Sequence, residues 1–400
     1  MNKTTKIYVD NAATTKMSKM AINAMIPFMD NIYGNPSSLH SVGQEANKAL
    51  CDAREKIAIL LGCMAKEIIF TSGGSESNNQ AIISAAKIGE KQGRKHIIST
   101  TFEHHAVLYV LDKLKEEGFE VTLLDVHENG IITPEQVENA IRTETCLVTV
   151  MYANNEIGTI QPIKEIGELC KKHGILFHTD AVQAAGRLHI DVKEQNIDML
   201  SLSAHKFHGP KGIGVLYARK GIQLSNIIVG GAQERRKRAG TENIPAIMGM
   251  AAALEESCHN INENSEKITV LRNKLIDGLS EIPHSVLNGD MEHRLPGNVN
   301  FCFEGIEGEA LLLLLDDKNI CASSGSACTS GSLEPSHVLL AIGRPHEIAH
   351  GSLRLSLSEE NTAQEVDYII SMVIEIVEYL RNMSPVWRDL TDGKNKFVIN

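Results

Sequence analysis

The feature that most constrains this chain is an alternation of short β-rich runs and amphipathic helical stretches over its first two-thirds. The runs cover 67–71, 96–99, 121–124, 146–151, 174–178 and 199–202, and helical patterns such as 135–142 and 164–173 lie between them. Strands separated by helices line up as a mostly parallel sheet with helices packed on its faces. Residues 212–218 read as one further buried strand. The pattern predicts a large α/β domain.

The character changes near residue 260. Residues 251–280 carry apolar positions at helical spacing and read as one or two helices. Residues 298–303 (NVNFCF) and 352–357 (SLRLSL) alternate with period two, as half-buried antiparallel strands do. A helix over 365–381 closes the pattern. The expected division is a large domain at 15–260 and a smaller α+β domain formed by 1–14 and 261–400. No repeat, low-complexity segment or linker-like shift separates them, so a large shared interface is expected.

Composition removes several function classes. Lys+Arg 39 against Asp+Glu 50 gives a net charge of −11, and aromatics are 4%. That balance argues against nucleic-acid partners, which need basic surfaces or stacking platforms. No apolar run approaches the roughly 20 residues of a membrane helix. The most apolar stretch, 310–315, stops at Asp316 and Asp317. The first 15 residues lack a signal peptide's apolar segment and cleavage site. A cytoplasmic location is therefore expected. The 8 cysteines, at 51, 63, 146, 170, 258, 302, 321 and 328, include no C-x-x-C pair. Scattered in this way they read as reduced thiols.

Three motifs in order carry chemistry. The first, TSGGSESN at 71–78, joins a strand to a helical pattern. It is either a helix N-terminus open to a phosphate or a turn with an N-cap Ser. The second, HTD at 178–180, ends a strand, with Gln183 three residues on. The third, SLSAHK at 201–206, also ends a strand. Ligands of open α/β sheets bind beyond the carboxyl ends of the strands. A carboxylate and a lysine at two such ends suit pyridoxal phosphate: the lysine bonds the aldehyde, and the carboxylate keeps the pyridine nitrogen protonated.

With these motifs in hand the chain resembles the NifS/IscS-type cysteine desulfurases of the class V aminotransferase superfamily. The matching segments are YVDNAATT at 8–15, GNPSS at 34–38, Glu103-His104, NNEIG at 154–158, Asp180 to Gln183, Ser203 to Lys206, RAGTEN at 238–243, SSGSACT at 323–329 and Arg354. The resemblance spans nearly the whole chain. It implies the fold-type I architecture of pyridoxal-phosphate-dependent transferases, a large domain with a mostly parallel seven-stranded sheet plus a smaller α+β domain. It also implies roles. Lys206 binds the cofactor covalently and Asp180 pairs with its pyridinium nitrogen. Gln183 contacts the ring oxygen, and His104 stacks on the ring and assists proton transfer. Gly74, Ser75, Ser203 and His205 hold the phosphate, with Thr241 reaching the phosphate of the neighbouring subunit of a homodimer. Asn155 and Arg354 hold the carboxylate of L-cysteine. Many relatives have Ala-Thr where this chain has Gly74-Ser75; the hydroxyl is kept.

Cys328 is the implied nucleophile, taking the substrate sulfur as a persulfide and leaving alanine. Its neighbours are Ser, Thr, Ala and Gly, which offer little apolar context to bury a thiol and lower the steric cost of moving. The resemblance further implies an IscU/NifU-type scaffold for iron–sulfur cluster assembly, with a transient [2Fe–2S] intermediate that Cys328 could ligate. SPVW at 384–387 resembles the scaffold-docking segment of IscS-type relatives, and Trp387 is either its anchor or a helix cap against the core. Two further signals are set aside. HEIAH at 346–350 matches a zinc-protease pattern, but it follows Pro345 and runs at once into Gly351 and a strand, where a long helix is needed. The basic run 235–238 precedes Gly240-Thr241 and is placed near the cofactor phosphate at the dimer interface.

Overall fold

A computed structural model describes residues 6–324 and 335–399. Its strands are β1 (Ile7–Tyr8), β2 (Ile68–Thr71), β3 (His96–Thr100), β4 (Glu120–Leu124), β5 (Thr145–Thr149), β6 (Leu176–Asp180), β7 (Met199–Ser203), β8 (Gly214–Ala218), β9 (Ser285–Leu287), β10 (Asn298–Phe303), β11 (Ile320–Cys321) and β12 (Ser352–Ser356). The large sheet has seven strands in the order β2-β8-β7-β6-β5-β3-β4. Strands β3 to β7 pair in parallel, while β8 runs antiparallel to β2 and β7.

Side chains one residue apart on a strand point to opposite faces, and both faces here are covered. Ile97, Leu147 and Met199 pack under the helices Gly74–Lys91 and His105–Glu116. Their neighbours Ile98, Val148 and Leu200 belong to the opposite core, against the helices Ser41–Leu60, Ile163–His173 and Ile244–His259. Local signals set the helix ends. Thr133 and Gln136 close a capping box at the start of Pro134–Ala140, and Gly174 ends Ile163–His173 at φ 64°.

A three-stranded antiparallel sheet, β12-β10-β9, forms the second unit, with Asn300 opposite Arg354. Its apolar side, including Val299, Phe301, Leu353 and Leu355, packs with the helices Ile261–Ser280, Gly308–Asp317 and Ala363–Met383. The stretch read as one or two helices is two, Ile244–His259 and Ile261–Ser280, meeting at Asn260.

One expectation is corrected here. β10 and β12 alternate as half-buried strands do, yet every residue in them is buried. Their polar side faces protein instead of water. Asn298 Nδ2 and Asn300 Nδ2 each donate to the Glu156 carbonyl at 3.1 Å, and Arg354 Nη1 donates to the Asn155 carbonyl at 3.1 Å. The Ala12 N–H donates to Ser356 Oγ at 2.8 Å. Alternation reports polarity, and here the polar partner is the rim of the large sheet.

The basic run is knitted into the sheet edge. Arg235 Nη2 donates to the Ile68 carbonyl at 2.7 Å, and Arg238 Nε pairs with Glu76 at 2.9 Å in the first turn of the helix Gly74–Lys91. Before it, Glu234 is 5% exposed and takes Arg54 Nη1 at 2.7 Å, Arg54 Nη2 at 2.6 Å and the Phe70 N–H at 3.0 Å. Removing one partner of a buried pair leaves the other charge uncompensated. Glu234→Ala is predicted to cost about 3–5 kcal/mol of unfolding free energy, measured by denaturant unfolding. A loss under about 1 kcal/mol would show that Arg54 finds water or another acceptor.

Candidate active site

The carboxyl ends of the parallel strands open into a cavity of about 550 Å³. β6 delivers Asp180, and β7 runs through Ser203 into a 3-10 turn, Ala204–Lys206. The helix Gly74–Lys91 starts beside them. Of the residues singled out from the sequence, the cavity brings together Gly74, Ser75, His104, Asn155, Asp180, Gln183, Ser203, His205, Lys206 and Arg354. Thr241 does not line it and is exposed. Cys328 lies outside the described residues, and with it the cluster-ligand reading. Pro335, Ser336 and His337, the next described residues along the chain, line the same cavity.

Lys206 Nζ donates to the carbonyls of Ala12 and Ala13 at 2.5 and 2.8 Å. Asp180 is held from two sides: Oδ2 accepts from Asn78 Nδ2 at 2.6 Å and Oδ1 from the Val182 N–H at 3.0 Å. Gln183 Nε2 donates to the Ala12 carbonyl at 2.9 Å. Asn78 Oδ1 and Gln183 Oε1 are buried and have no partner among the described residues.

The helix start settles the choice left open by the TSGGSESN motif. The N-cap is Gly73, at φ 155° and ψ −176°, and no side chain caps the turn. This backbone region belongs to glycine. The first N–H groups of a helix have no partner within it. Gly74 and Ser75 line the cavity together with Ser203 and His205, and a Cβ on Gly73 would lie 3.6 Å from Ser203 Oγ. A Cβ on Gly74 would lie 2.7 Å from Val182 Cγ2, so the cradle accepts only glycine without a shift. An uncapped helix start beside two hydroxyls fits a phosphate dianion. Lys206 and Asp180 in the same cavity fit the aldehyde and the pyridine nitrogen of pyridoxal phosphate.

His104 is the N-cap of the helix His105–Glu116, and its Nδ1 accepts the Ala106 N–H at 3.1 Å. The neutral ring therefore carries its proton on Nε2. Burial holds its pKa below the ordinary histidine value. Burial, then Lys206 and Lys211, pushes His205 down to about 4. Arg354 is 2% exposed; Nη2 pairs with Asp10 Oδ1 at 2.9 Å, and its buried Nε has no partner among the described residues.

Sequence reading missed several wall residues. Asn78 sits four residues after Gly74 on the same helix face, a spacing that could have exposed it. Glu156 lay inside the NNEIG motif; burial pushes it up to about 7 and Ser336 Oγ donates to its Oε2. His105 and His337 face each other with ring centroids 4.6 Å apart, brought together from distant sequence positions with no local signal. HEIAH forms only the short helix His346–Ala349 and the residue after it, and among the described residues no group of three metal-capable side chains forms.

The aminotransferase class-V family model matches residues 7–369. The chain belongs to the class-V aminotransferases. Within this family its relatives are of the NifS/IscS type. The cysteine desulfurase IscS of Clostridium botulinum is 53% identical over 399 residues, 99% of this chain and 100% of the relative. A solved NifS-like protein superposes with a TM-score of 0.88 at 39% identity, over 94% of this chain and 100% of that one. A structure described as SspA in complex with cysteine superposes with a TM-score of 0.79 at 39% identity, over 90% of this chain and 100% of that one. This class-V member therefore has the family's enzyme class and α/β architecture, as the sequence reading expected.

Glu103 marks how this site treats charge. Its side chain is fully buried, Oε1 accepts from Thr100 Oγ1 and the Met151 N–H at 2.8 Å each, and Oε2 has no partner among the described residues. Burial pushes its carboxyl up to about 8. An unfolded glutamate titrates near about 4.3, so folding keeps a proton on Glu103 between these two values. Its contribution to stability is fully present below about 4.3 and is lost as pH rises through about 8. Glu103→Gln imitates the protonated acid. The variant is predicted to gain stability relative to wild type between about pH 5 and about pH 9, read from chemical unfolding at both. Parallel pH profiles would contradict a protonated Glu103.

Proposed function

We propose that this chain removes sulfur from L-cysteine, giving alanine and a persulfide on Cys328, and passes that sulfur toward iron–sulfur cluster assembly. The carrying observation is the convergence of Lys206, Asp180 and the uncapped helix start at Gly74 in one cavity walled by Arg354. Membership beside IscS-type relatives, and the cysteine-bound SspA structure, support cysteine as substrate.

Each residue has a task that its position suits. Gly74, Ser75, Ser203 and His205 bind the phosphate of pyridoxal phosphate, Asp180 holds the pyridinium proton, and Asn78 keeps Asp180 oriented. When bound, the cofactor withdraws the electron pair released at the substrate Cα. Lys206 anchors the cofactor and then moves the α-proton through Nζ. Arg354, whose planar guanidinium can take a carboxylate in two hydrogen bonds, and Asn155 orient the cysteine carboxylate. His104, in the cavity wall, would stand against the cofactor ring, with its Nε2 proton free to be offered. The Cys328 thiolate attacks the substrate sulfur; the carbon–sulfur bond breaks with its electron pair left on the carbon side, and protonation at Cβ and then at Cα completes alanine.

The working unit in this reading is a homodimer. Tyr33, Leu39 and Val229 are 74%, 93% and 87% exposed, an apolar set suited to a second copy, and exposed Thr241 would serve the partner's phosphate. An IscU/NifU-type scaffold is the proposed acceptor. Trp387 packs 3.9 Å from the Arg381 guanidinium and against Phe397, which makes it a cap on the fold; Val386 and Met383, 59% and 62% exposed, are the better docking residues.

The experiment is alanine release from L-cysteine with a reductant. Lys206→Ala is predicted to lose about 100-fold or more, the scale of general-base catalysis. Cys328→Ser is predicted to bind cofactor and fail to transfer sulfur. Full activity in either variant would refute the roles assigned, and transamination without sulfur loss would favour an aminotransferase.

A further inference from the structure

Resting on that reading of Lys206, a second histidine near it has no place in the chemistry above. His208 lies two residues beyond Lys206, where the chain turns through a left-handed backbone at φ 64°. Its N–H donates to Thr15 Oγ1 at 2.8 Å, and its carbonyl accepts the Ser18 N–H at 2.9 Å. The turn is thus fastened to the N-terminal segment whose Ala12 and Ala13 carbonyls hold Lys206 Nζ.

The ring is fixed by acceptors on both sides. Nδ1 lies 3.0 Å from the Lys16 carbonyl, which can only accept, and Nε2 lies 3.4 Å from Glu359 Oε1, a carboxylate. A neutral imidazole has one N–H and can serve only one of them. Two acceptors on two ring nitrogens call for the imidazolium. Glu359 lies three residues beyond the end of β12 in the smaller unit, so the ring bridges the two units. The elements packed around it bring Glu359 and Arg187 against it. The Lys16 ammonium is engaged by Glu360, that of Lys267 by the Glu359 carbonyl, and that of Lys206 by Ala12 and Ala13. Arg187 Nη2 lies 3.4 Å from the Lys206 carbonyl and opposes the positive ring.

We propose that His208 is a positioning residue that works as an imidazolium, clasping Glu359 and the Lys16 backbone at once, so that Lys206 holds the cofactor less firmly when this ring loses its proton.

The titration directions agree with the geometry. Burial pulls the His208 pKa down, but Glu359 outweighs it and the net shift is upward. Burial pushes Glu359 up, and His208 outweighs it, leaving the carboxyl at about 2. The histidine contribution is fully present below about 6.5 and is lost as pH rises through the raised folded value. The glutamate contribution is present above about 4.3 and is lost as pH falls through about 2. The clasp is complete between about pH 4.3 and 6.5.

The test uses the full chain loaded with pyridoxal phosphate, as wild type, His208→Asn, Glu359→Gln and the double variant. Asn tolerates the left-handed backbone best among side chains that keep a donor, and Glu359→Gln is nearly isosteric, so a folded comparison survives if one variant misfolds. Unfolding midpoint and the rate of cofactor release are measured from about pH 6.5 to about pH 9.5. At the low end each single variant should lower the midpoint by about 2 °C or more and release cofactor several-fold faster, with the double variant no worse than either. At the high end wild type and variants should converge. Differences that ignore pH, single effects that add, or a stability effect with unchanged cofactor release would overturn the proposal. Neither readout needs turnover of cysteine. A protein that binds no cofactor would refute the functional reading instead, while the midpoint cycle still decides the clasp.

Discussion

The site depends on the stitching of residues 12–18 to the turn after β7. Thr15 takes part from both ends: its N–H and hydroxyl each reach the His205 carbonyl at 2.9 Å, and its Oγ1 accepts the His208 N–H. Two carbonyls of the same segment hold Lys206 Nζ. A lysine on a turn beyond a strand end would otherwise sample many rotamers, at an entropy cost to any geometry the reaction needs. Here the backbone supplies the restraint, and the sheet supplies the register that puts Asp180 on the adjacent strand, opposite Ser201.

Burial then sorts the charges. Glu103 is pushed up to about 8 and Glu156 to about 7, while His178, fully enclosed between Thr149 and Ser201, is pushed down to about 3. Groups that would compete with Asp180 for influence over the cavity are drawn toward neutrality by the same desolvation. Asp180 itself is served by two donors, Asn78 and the Val182 N–H. A helix start with no side-chain cap adds partial positive charge where a phosphate would sit.

Much of this was legible in the sequence, and the reasons differ by element. The parallel strands could be read because each is a short apolar run between amphipathic helices, and all but the edge strand β4 are buried along almost their whole length. The residues at their carboxyl ends followed from the general location of ligand sites in such sheets. The environment of β10 and β12 was not legible, because alternation records which side is polar and not what lies beyond it. Asn78 was within reach through its spacing from Gly74. His105 and His337 were not, since they meet only after the chain returns from the smaller unit. His208 gave no sign of a left-handed backbone, which is set by the bonds its own turn makes with Thr15 and Ser18. Thr241, exposed on one copy, has a role only if a second copy meets it.

The central claim is that the turn after β7 presents Lys206 as the covalent anchor of pyridoxal phosphate. Its most direct measurement is borohydride reduction of the cofactor-loaded protein, which fixes the carbon–nitrogen linkage, followed by peptide mass mapping. The account predicts the phosphopyridoxyl group on the peptide carrying Lys206 and on no other lysine. A label elsewhere, or none on a protein that retains the cofactor, would contradict it.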